Sequence, residues 1–327
     1  MNQPLVSLII PTQRRLEGLA LAARSALAQA GAGAMELVIV DNDETPSAEP
    51  FVRRLAALAP CRVIYVHEPR PGVANARNAA LAHSVGELIA FLDDDEEAPR
   101  GWLAGLLATQ AAFKADAVFG PVRARLPAEV RHHRDYLQRF FSRIGPTASG
   151  LLAQPFGCGN SLVRRAALPG GPEPFSTARN QIGGEDNLLF QSMADAGARF
   201  AWAAEAWVWE DPAPDRLSLG YTLRRAFAYG QAPTSDCAAR SPVDVVGVAH
   251  WMVQGLAQAA AFGLVAALRA LFGAPELAEA LDLAARGLGK TFWGGPFRIA
   301  FYGQPAPRAR QAAAADLTPN AAAEPAR

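Results

Sequence analysis

Five consecutive carboxylates, Asp93 to Glu97, follow directly on five apolar residues, Leu88 to Leu92, and Pro99 comes two residues later. Like charges this close repel one another, and none can be buried without a partner. A divalent cation is the simplest partner. If extended geometry continues past Leu92, Asp93 and Asp95 point to the same side, because side chains alternate along a strand. Hard oxygen ligands in that arrangement suit Mg²⁺ or Mn²⁺, and such an ion commonly shares its remaining positions with waters and a substrate's phosphates. The plainer alternative is a solvated acidic turn, with Glu96, Glu97 and Pro99 in the first turn of a helix whose dipole favours acids there. A second acidic pair, Glu185-Asp186, follows Gly183-Gly184 and opens a helical pattern. It reads either as a capping pair or as a general base held in a cleft.

The elements that must position these groups alternate. Val6 to Ile10, Leu37 to Val40, Arg62 to Val66 and Leu88 to Leu92 are short apolar runs, with helical patterns over Glu17 to Gln29, Pro50 to Leu58 and Val73 to His83 between them. Strand–helix alternation predicts right-handed crossovers and a mostly parallel, Rossmann-like sheet with helices on both faces. Ligands of such sheets bind beyond the carboxyl ends of the strands. Three of the four strands deliver polar residues there: Thr12 and Arg14, then Asp41 and Asp43, then Asp93 to Asp95. No glycine-rich phosphate loop follows the first strand, so Pro11-Thr12 points to nucleotide contacts made by side chains and a metal. Arg77, on the helix before the acidic strand, can reach a nucleotide or an acid near Asp93.

Further along, Ala117 to Val122 and Arg199 to Val208 read as strands, and Arg123 to Ser149 as an irregular, basic and aromatic insertion over the site. Within FGCGNSLVRR, Gly157 and Gly159 allow close backbone approach, and Asn160 sits at a strand start. His132 and His133 lack partners at metal-ligand spacing.

The chain has 327 residues, half of them apolar, and a formal net charge of zero. That suits one large globular domain with an appendage, and it gives no support for nucleic-acid binding. Three widely spaced cysteines form no disulfide framework or metal motif, and Met1 to Arg15 lacks the layout of a secretory signal, so we expect a cytoplasmic setting.

Taken together, six segments in order resemble a family 2 glycosyltransferase of GT-A fold: VSLIIPT (6–12), ELVIVDND (36–43), GVANARNAAL (72–81), LIAFLDDDEEAPRGWL (88–103), GNSLVRR (159–165) and GGEDNLLF (183–190). ADAVFGPV (115–122) and WEDPAPDRLS (209–218) are similar to the branch of succinoglycan-type exopolysaccharide glucosyltransferases. The resemblance implies a nucleotide-diphospho-sugar donor, with UDP expected, and a glycan or lipid-linked acceptor. Asp41 would bond the base with Asp43 nearby, while Pro11, Thr12 and Arg14 flank the nucleotide and Arg77 steadies it. Asp93 to Asp95 would be the DxD-type motif, with Asp93 and Asp95 on Mn²⁺ or Mg²⁺; Asp94, Asn160 and Glu185 would complete the donor site. Asp186 would be the base of an inverting transfer. Two departures matter. Where many members carry a late His as an extra metal or phosphate contact, this chain has Trp209-Glu210-Asp211, so Glu210 or Asp211 would have to take that contact, or the role is absent. The QxxRW motif of processive synthases is absent, which predicts transfer of a single sugar. The competing readings are a non-catalytic sugar-nucleotide or glycan-binding relative and a nucleotidyltransferase. Against the latter, Pro11 to Gly18 has one glycine only.

We expect the transferase domain over 1–235, a helical region over 236–303 and a disordered Ala/Pro-rich tail over 304–327. Val245 to Leu268 contains no charged residue and is long enough to span a bilayer. It reads as a membrane helix, a buried soluble helix or a dimer helix. Arg269, Arg286, Lys290 and Arg298 after it suit anionic headgroups, and with them a place at the cytoplasmic face of the inner membrane.

Overall fold

The computed structural model describes residues 4–29, 34–180, 183–274 and 276–299. The tail expected over 304–327 lies outside the described residues. The N-terminal half alternates as its sequence predicts: β1 (Val6–Thr12), α1 (Leu16–Leu27), β2 (Met35–Asp41), α2 (Glu49–Leu58), β3 (Arg62–His67), α3 (Val73–His83) and β4 (Leu88–Phe91). These four strands pair in parallel in the order β3-β2-β1-β4. Alternate residues face opposite ways, and both sets are buried. Leu8, Ile10, Leu37 and Ile39 join a core with α1 residues, while Ile9, Val38, Val40, Ile89 and Phe91 join one with α3 residues. A strand buried on both faces must be apolar throughout, which is why these runs lack polar alternation.

β1 continues two residues past its expected end at Ile10. Pro11 has no N–H, but it shares parity with Ile9, whose carbonyl accepts from Leu92 as β4 turns away. The missing donor therefore costs no ladder bond, and Thr12 still aligns with Asp41.

The acidic run behaves differently from either expectation. Strand geometry ends at Phe91, and Asp93 to Asp95 form a turn closed by the Glu96 N–H on the Asp93 carbonyl (3.1 Å). Glu96 and Glu97 do not enter a helix. They form β5 (Glu96–Glu97), and α4 (Trp102–Phe113) begins only after Gly101. The two expected strands that follow are each split. The first gives β6 (Ala117–Phe119) and β7 (Val122–Ala124); the stretch expected to be irregular holds α5 (Arg134–Phe141), with β8 (Gly150–Leu152) after it and then β9 (Ser161–Arg164). Beyond α6 (Glu185–Asp195), the second gives β10 (Phe200–Trp202) and β11 (Val208–Glu210). The inner halves extend the main sheet as β4-β9-β6-β10-β8, in which β9 and β8 run antiparallel to their neighbours. The outer halves leave it and make a small sheet, β5-β11-β7, beside the acidic turn. The break between β10 and β11 lets β11 leave the main sheet and pair Glu210 with Glu96, beside the acidic turn.

The helical region is α7 (Leu219–Ala239), α8 (Val245–Phe272) and α9 (Leu277–Thr291). The boundary expected at 235 falls inside α7. α9 lies close against both neighbours: a Cβ on Gly255 would stand 2.6 Å from the Gly287 carbonyl, and one on Gly287 2.6 Å from the Ala259 nitrogen. Gly230 and Gly289 do the same between α7 and α9. α5 folds because Tyr136 and Leu137 are buried in a cluster with Ala278 of α9, and the Tyr136 hydroxyl donates to Asp282 (3.1 Å).

Candidate active site

A cleft of about 950 Å³ opens at the carboxyl ends of β1 and β4. One wall is the acidic turn, the opposite wall is the start of α6, and α5, α7 and Trp293 close the far side. Thr12 follows the last apolar residue of β1, so its hydroxyl reaches over the turn and donates to Asp94 Oδ2 (2.8 Å). Arg15 clamps the turn by donating to Asp94 Oδ1 (3.0 Å) and Asp95 Oδ2 (2.7 Å). Arg216 stands 3.7 Å from Asp95.

From α3, Arg77 crosses between the walls. Nη1 donates to Glu185 Oε1 (2.6 Å) and Nη2 to Asp93 Oδ1 (3.4 Å). At the start of α6 the two acids divide their tasks. Glu185 is buried against Arg77. Asp186 lines the cleft, and its Oδ2 accepts from the Cys158 N–H (3.0 Å). Asp186 Oδ1 also accepts from the Asn187 N–H (2.8 Å), and the helix dipole favours both carboxylates where they stand.

The loop that carries Cys158 is fixed by Arg143, a residue that sequence reasoning missed. It is half-buried at the cleft edge and donates to the carbonyls of Gly120 (3.0 Å), Gly157 (2.9 Å), Gly159 (2.5 Å) and Asn160 (3.0 Å). Gly159 permits the closest approach. A Cβ there would stand 2.7 Å from Asp93 Oδ2 and 3.0 Å from Glu96 Oε1.

The carboxylates outnumber the cations that reach them. Asp93 faces the cleft with its side chain 36% exposed, yet the enclosing walls strip enough water to push its carboxyl up, against the pull of Arg77. Burial pushes Asp94 up to about 6 despite Arg15. Burial, with Asp95 and Asp93 nearby, pushes Glu210 up to about 8. Glu96, buried beneath Asp93, lies well above its ordinary value for the same reasons. Buried acids that resist ionisation mark a site short of positive charge.

Some expected residues stand elsewhere. Asp41 is fully buried and away from the cleft lining; it accepts from the Ala48 N–H (2.6 Å) and the Tyr65 hydroxyl (3.0 Å), which anchors α2. Asp43 and Arg14 pair with each other (2.6 Å) outside the lining. The Arg14 bond, working against burial, holds the Asp43 carboxyl below the usual range. Asn160 is fully buried with φ of 47° and bridges the Trp102 indole (2.7 Å) to the carbonyls of Pro121 and Ala206. It braces the loop rather than touching the cleft. The structure instead puts Asn42 on the lining. Its amide donates to the carbonyls of Glu68 (2.8 Å) and Arg70 (2.7 Å) and accepts from the Gly72 N–H (2.8 Å), which docks the start of α3 on β2.

Among the described residues no three His, Cys, Asp or Glu side chains form a metal-holding group. Asp93, Asp95 and Glu210 all line the cleft, with Arg77 reaching Asp93 and both Arg15 and Arg216 reaching Asp95. The donor set still fits a divalent ion held by one or two carboxylates and completed by a ligand's phosphates.

Residues 7–169 match the family model described as glycosyl transferase family 2. Over 198 residues the chain is 37% identical to succinoglycan biosynthesis protein ExoM of Rhizobium meliloti (strain 1021), covering 60% of this chain and 63% of that protein. It is 33% identical over 118 residues to the putative colanic acid biosynthesis glycosyl transferase WcaA of Escherichia coli (strain K12), covering 36% and 40% of the two. The chain thus spans less than two thirds of the length of these relatives. Among solved structures, the mannosyltransferase PcManGT from Pyrobaculum calidifontis, in complex with GDP-Man and Mn²⁺, matches with a TM-score of 0.59 and 21% identity, covering 89% of this chain and 88% of that one. At that identity the fold is what is shared.

Proposed function

We propose that the protein, whose residues 7–169 match the glycosyl transferase family 2 model and whose fold is of the GT-A kind, moves one sugar from a nucleotide-diphospho-sugar to a hydroxyl of a glycan or lipid-linked acceptor in exopolysaccharide synthesis, inverting the anomeric carbon. The observation that carries this reading is the Asp186 carboxylate, held by the Cys158 N–H and facing the acidic turn across one cleft. Asp186 would take the proton from the acceptor hydroxyl. That oxygen would attack the anomeric carbon as the bond to the diphosphate breaks on the opposite side. Asp93 and Asp95, with Glu210 beside them, would hold a Mn²⁺ or Mg²⁺ ion. When bound, the ion would supply positive charge for the departing diphosphate. Arg77, fixed between Asp93 and Glu185, would keep the two walls in register. The free thiols of Cys61, Cys158 and Cys237 agree with a cytoplasmic setting.

The test is calorimetric titration of UDP and of GDP into the protein, with Mn²⁺ and then with EDTA. We expect one nucleotide to bind with Mn²⁺ and to lose most of its affinity with EDTA. Equal affinity in both conditions would remove the metal from the reading. No binding of either nucleotide would favour a non-catalytic relative.

Gly159→Ala probes the same acids from behind. The added methyl must displace Asp93 or Glu96 by several tenths of an ångström. A misplacement of about 1 Å can cost on the order of 10²-fold in rate, and one of several tenths about tenfold. We expect turnover to fall about tenfold with the melting temperature nearly unchanged; unaltered turnover would separate Asp93 from the chemistry.

A further inference from the structure

α8 runs 28 residues, and its most apolar 18-residue window has a mean hydropathy of 1.6 with only 11% of it buried. Of the three readings its sequence allows, the buried soluble helix is therefore excluded. A crossing helix is also disfavoured, because α9 packs along it with charged residues. Gln258 Nε2 donates to the Leu283 carbonyl (2.7 Å), Lys290 Nζ donates to Gln258 Oε1 (2.7 Å), and Thr291 Oγ1 donates to the Met252 carbonyl (3.2 Å). α8 cannot enter the hydrocarbon end-on without taking Asp282 and Arg286 with it.

The outward face is continuous. At about 100° per residue, Val246, Val253, Leu264 and Leu271 fall within roughly 20° of one line, and they are 81%, 71%, 64% and 76% exposed. Gly255 and Ala266, the buried residues of α8, lie on the opposite side, against α9. A strip one helix wide is about 10 Å by 40 Å. Pressed against its own copy it would bury roughly 400 Å² per chain, about half of what a stable interface needs. A bilayer surface sets no such minimum and accepts a long apolar strip laid flat.

We propose that α8 lies lengthwise in the surface of a lipid bilayer, inserted through the strip of Val246, Val253, Leu264 and Leu271. Three of the four cations expected to meet headgroups are engaged internally: Arg269 donates to the Glu276 carbonyl (2.5 Å), Arg286 to Asp282 (2.6 Å) and Lys290 to Gln258 (2.7 Å), which leaves Arg298, exposed beyond α9. Apolar burial, not charge, drives the contact. It goes beyond the transferase reading and does not depend on it. For the reaction, its consequence is positional: α7, which packs with α8 and α9, also walls the cleft, so docking holds the cleft beside the membrane surface.

The experiment is co-sedimentation of the full chain with phosphatidylcholine vesicles at 0.1 M and 1 M NaCl, for wild type and Val253→Glu/Leu264→Glu. Both positions are already exposed, so the variant should fold, which circular dichroism and nucleotide titration check separately from docking. We expect wild type to pellet at both salt concentrations and the variant to bind at least tenfold more weakly. Equal binding by the variant would overturn the proposal, as would binding that requires phosphatidylglycerol and disappears in 1 M NaCl. Wild type that stays in the supernatant as a dimer, which the variant dissolves, would overturn it in favour of self-association.

Discussion

Asp186→Asn is expected to lower turnover by about 10³-fold and to leave nucleotide affinity within a factor of two. General-base assistance contributes typically 10²–10⁴-fold, and asparagine removes it while keeping the shape of the side chain. The amide oxygen of asparagine can still accept from the Cys158 N–H, so the loop need not move. The residue stands on the α6 wall, apart from the acids proposed to meet the diphosphate, so the nucleotide should not sense the change. Glu185 cannot substitute for it. Its carboxylate is buried and bonded to Arg77 at 2.6 Å, and freeing it would break that ion pair. The assay uses the nucleotide sugar whose nucleotide binds in the titration. Turnover near the wild-type rate would sink the base assignment, whereas a parallel loss of nucleotide affinity would indicate that the mutation disturbed the loop.

What the sequence made legible follows from how far each interaction reaches along the chain. β1, β2 and β4 are buried on both faces, so their apolar runs announce themselves locally. The cleft's two acidic segments were legible only in company: each alone reads as readily as a solvated turn or a capping pair, and it was their place among six ordered segments that singled them out. The shape of the acidic turn was not legible. Strand geometry would have set Asp93 and Asp95 side by side, but Thr12 and Arg15, about 80 residues earlier, hold Asp94 and Asp95. α5 was hidden because its partner, Ala278, lies some 140 residues further on. Arg143 was hidden because every bond it makes is to a backbone carbonyl, and carbonyls leave no trace in side-chain pattern. Asp41 shows the converse case. A carboxylate at a strand end can be wholly occupied in anchoring the next helix, and nothing in ELVIVDND says so.

Arg77→Met is expected to cost about 3–5 kcal/mol of stability, the range for removing one partner of a buried ion pair. The loss should come mainly from Glu185. Its side chain is 6% exposed against 36% for Asp93, so Asp93 can recover water that Glu185 cannot. The guanidinium also lies over the Phe175 ring at 5.6 Å, a contact that methionine retains in part. Urea unfolding measures the change as a lowered midpoint with an unchanged slope. Arg77→Met/Glu185→Met provides the decisive comparison. Replacing a whole buried pair by apolar residues of similar volume is often neutral or stabilising, so the double variant should recover most of the lost stability. It should not recover turnover, because Asp93 and the start of α6 would no longer be tied to one side chain. If the single variant were as stable as wild type, the Arg77 bridge would not be a buried pair in solution. If the double variant regained both stability and turnover, Arg77 would be a packing residue, and the register of the two cleft walls would have to be set from elsewhere, with Arg143 and its four carbonyls the next to be tested.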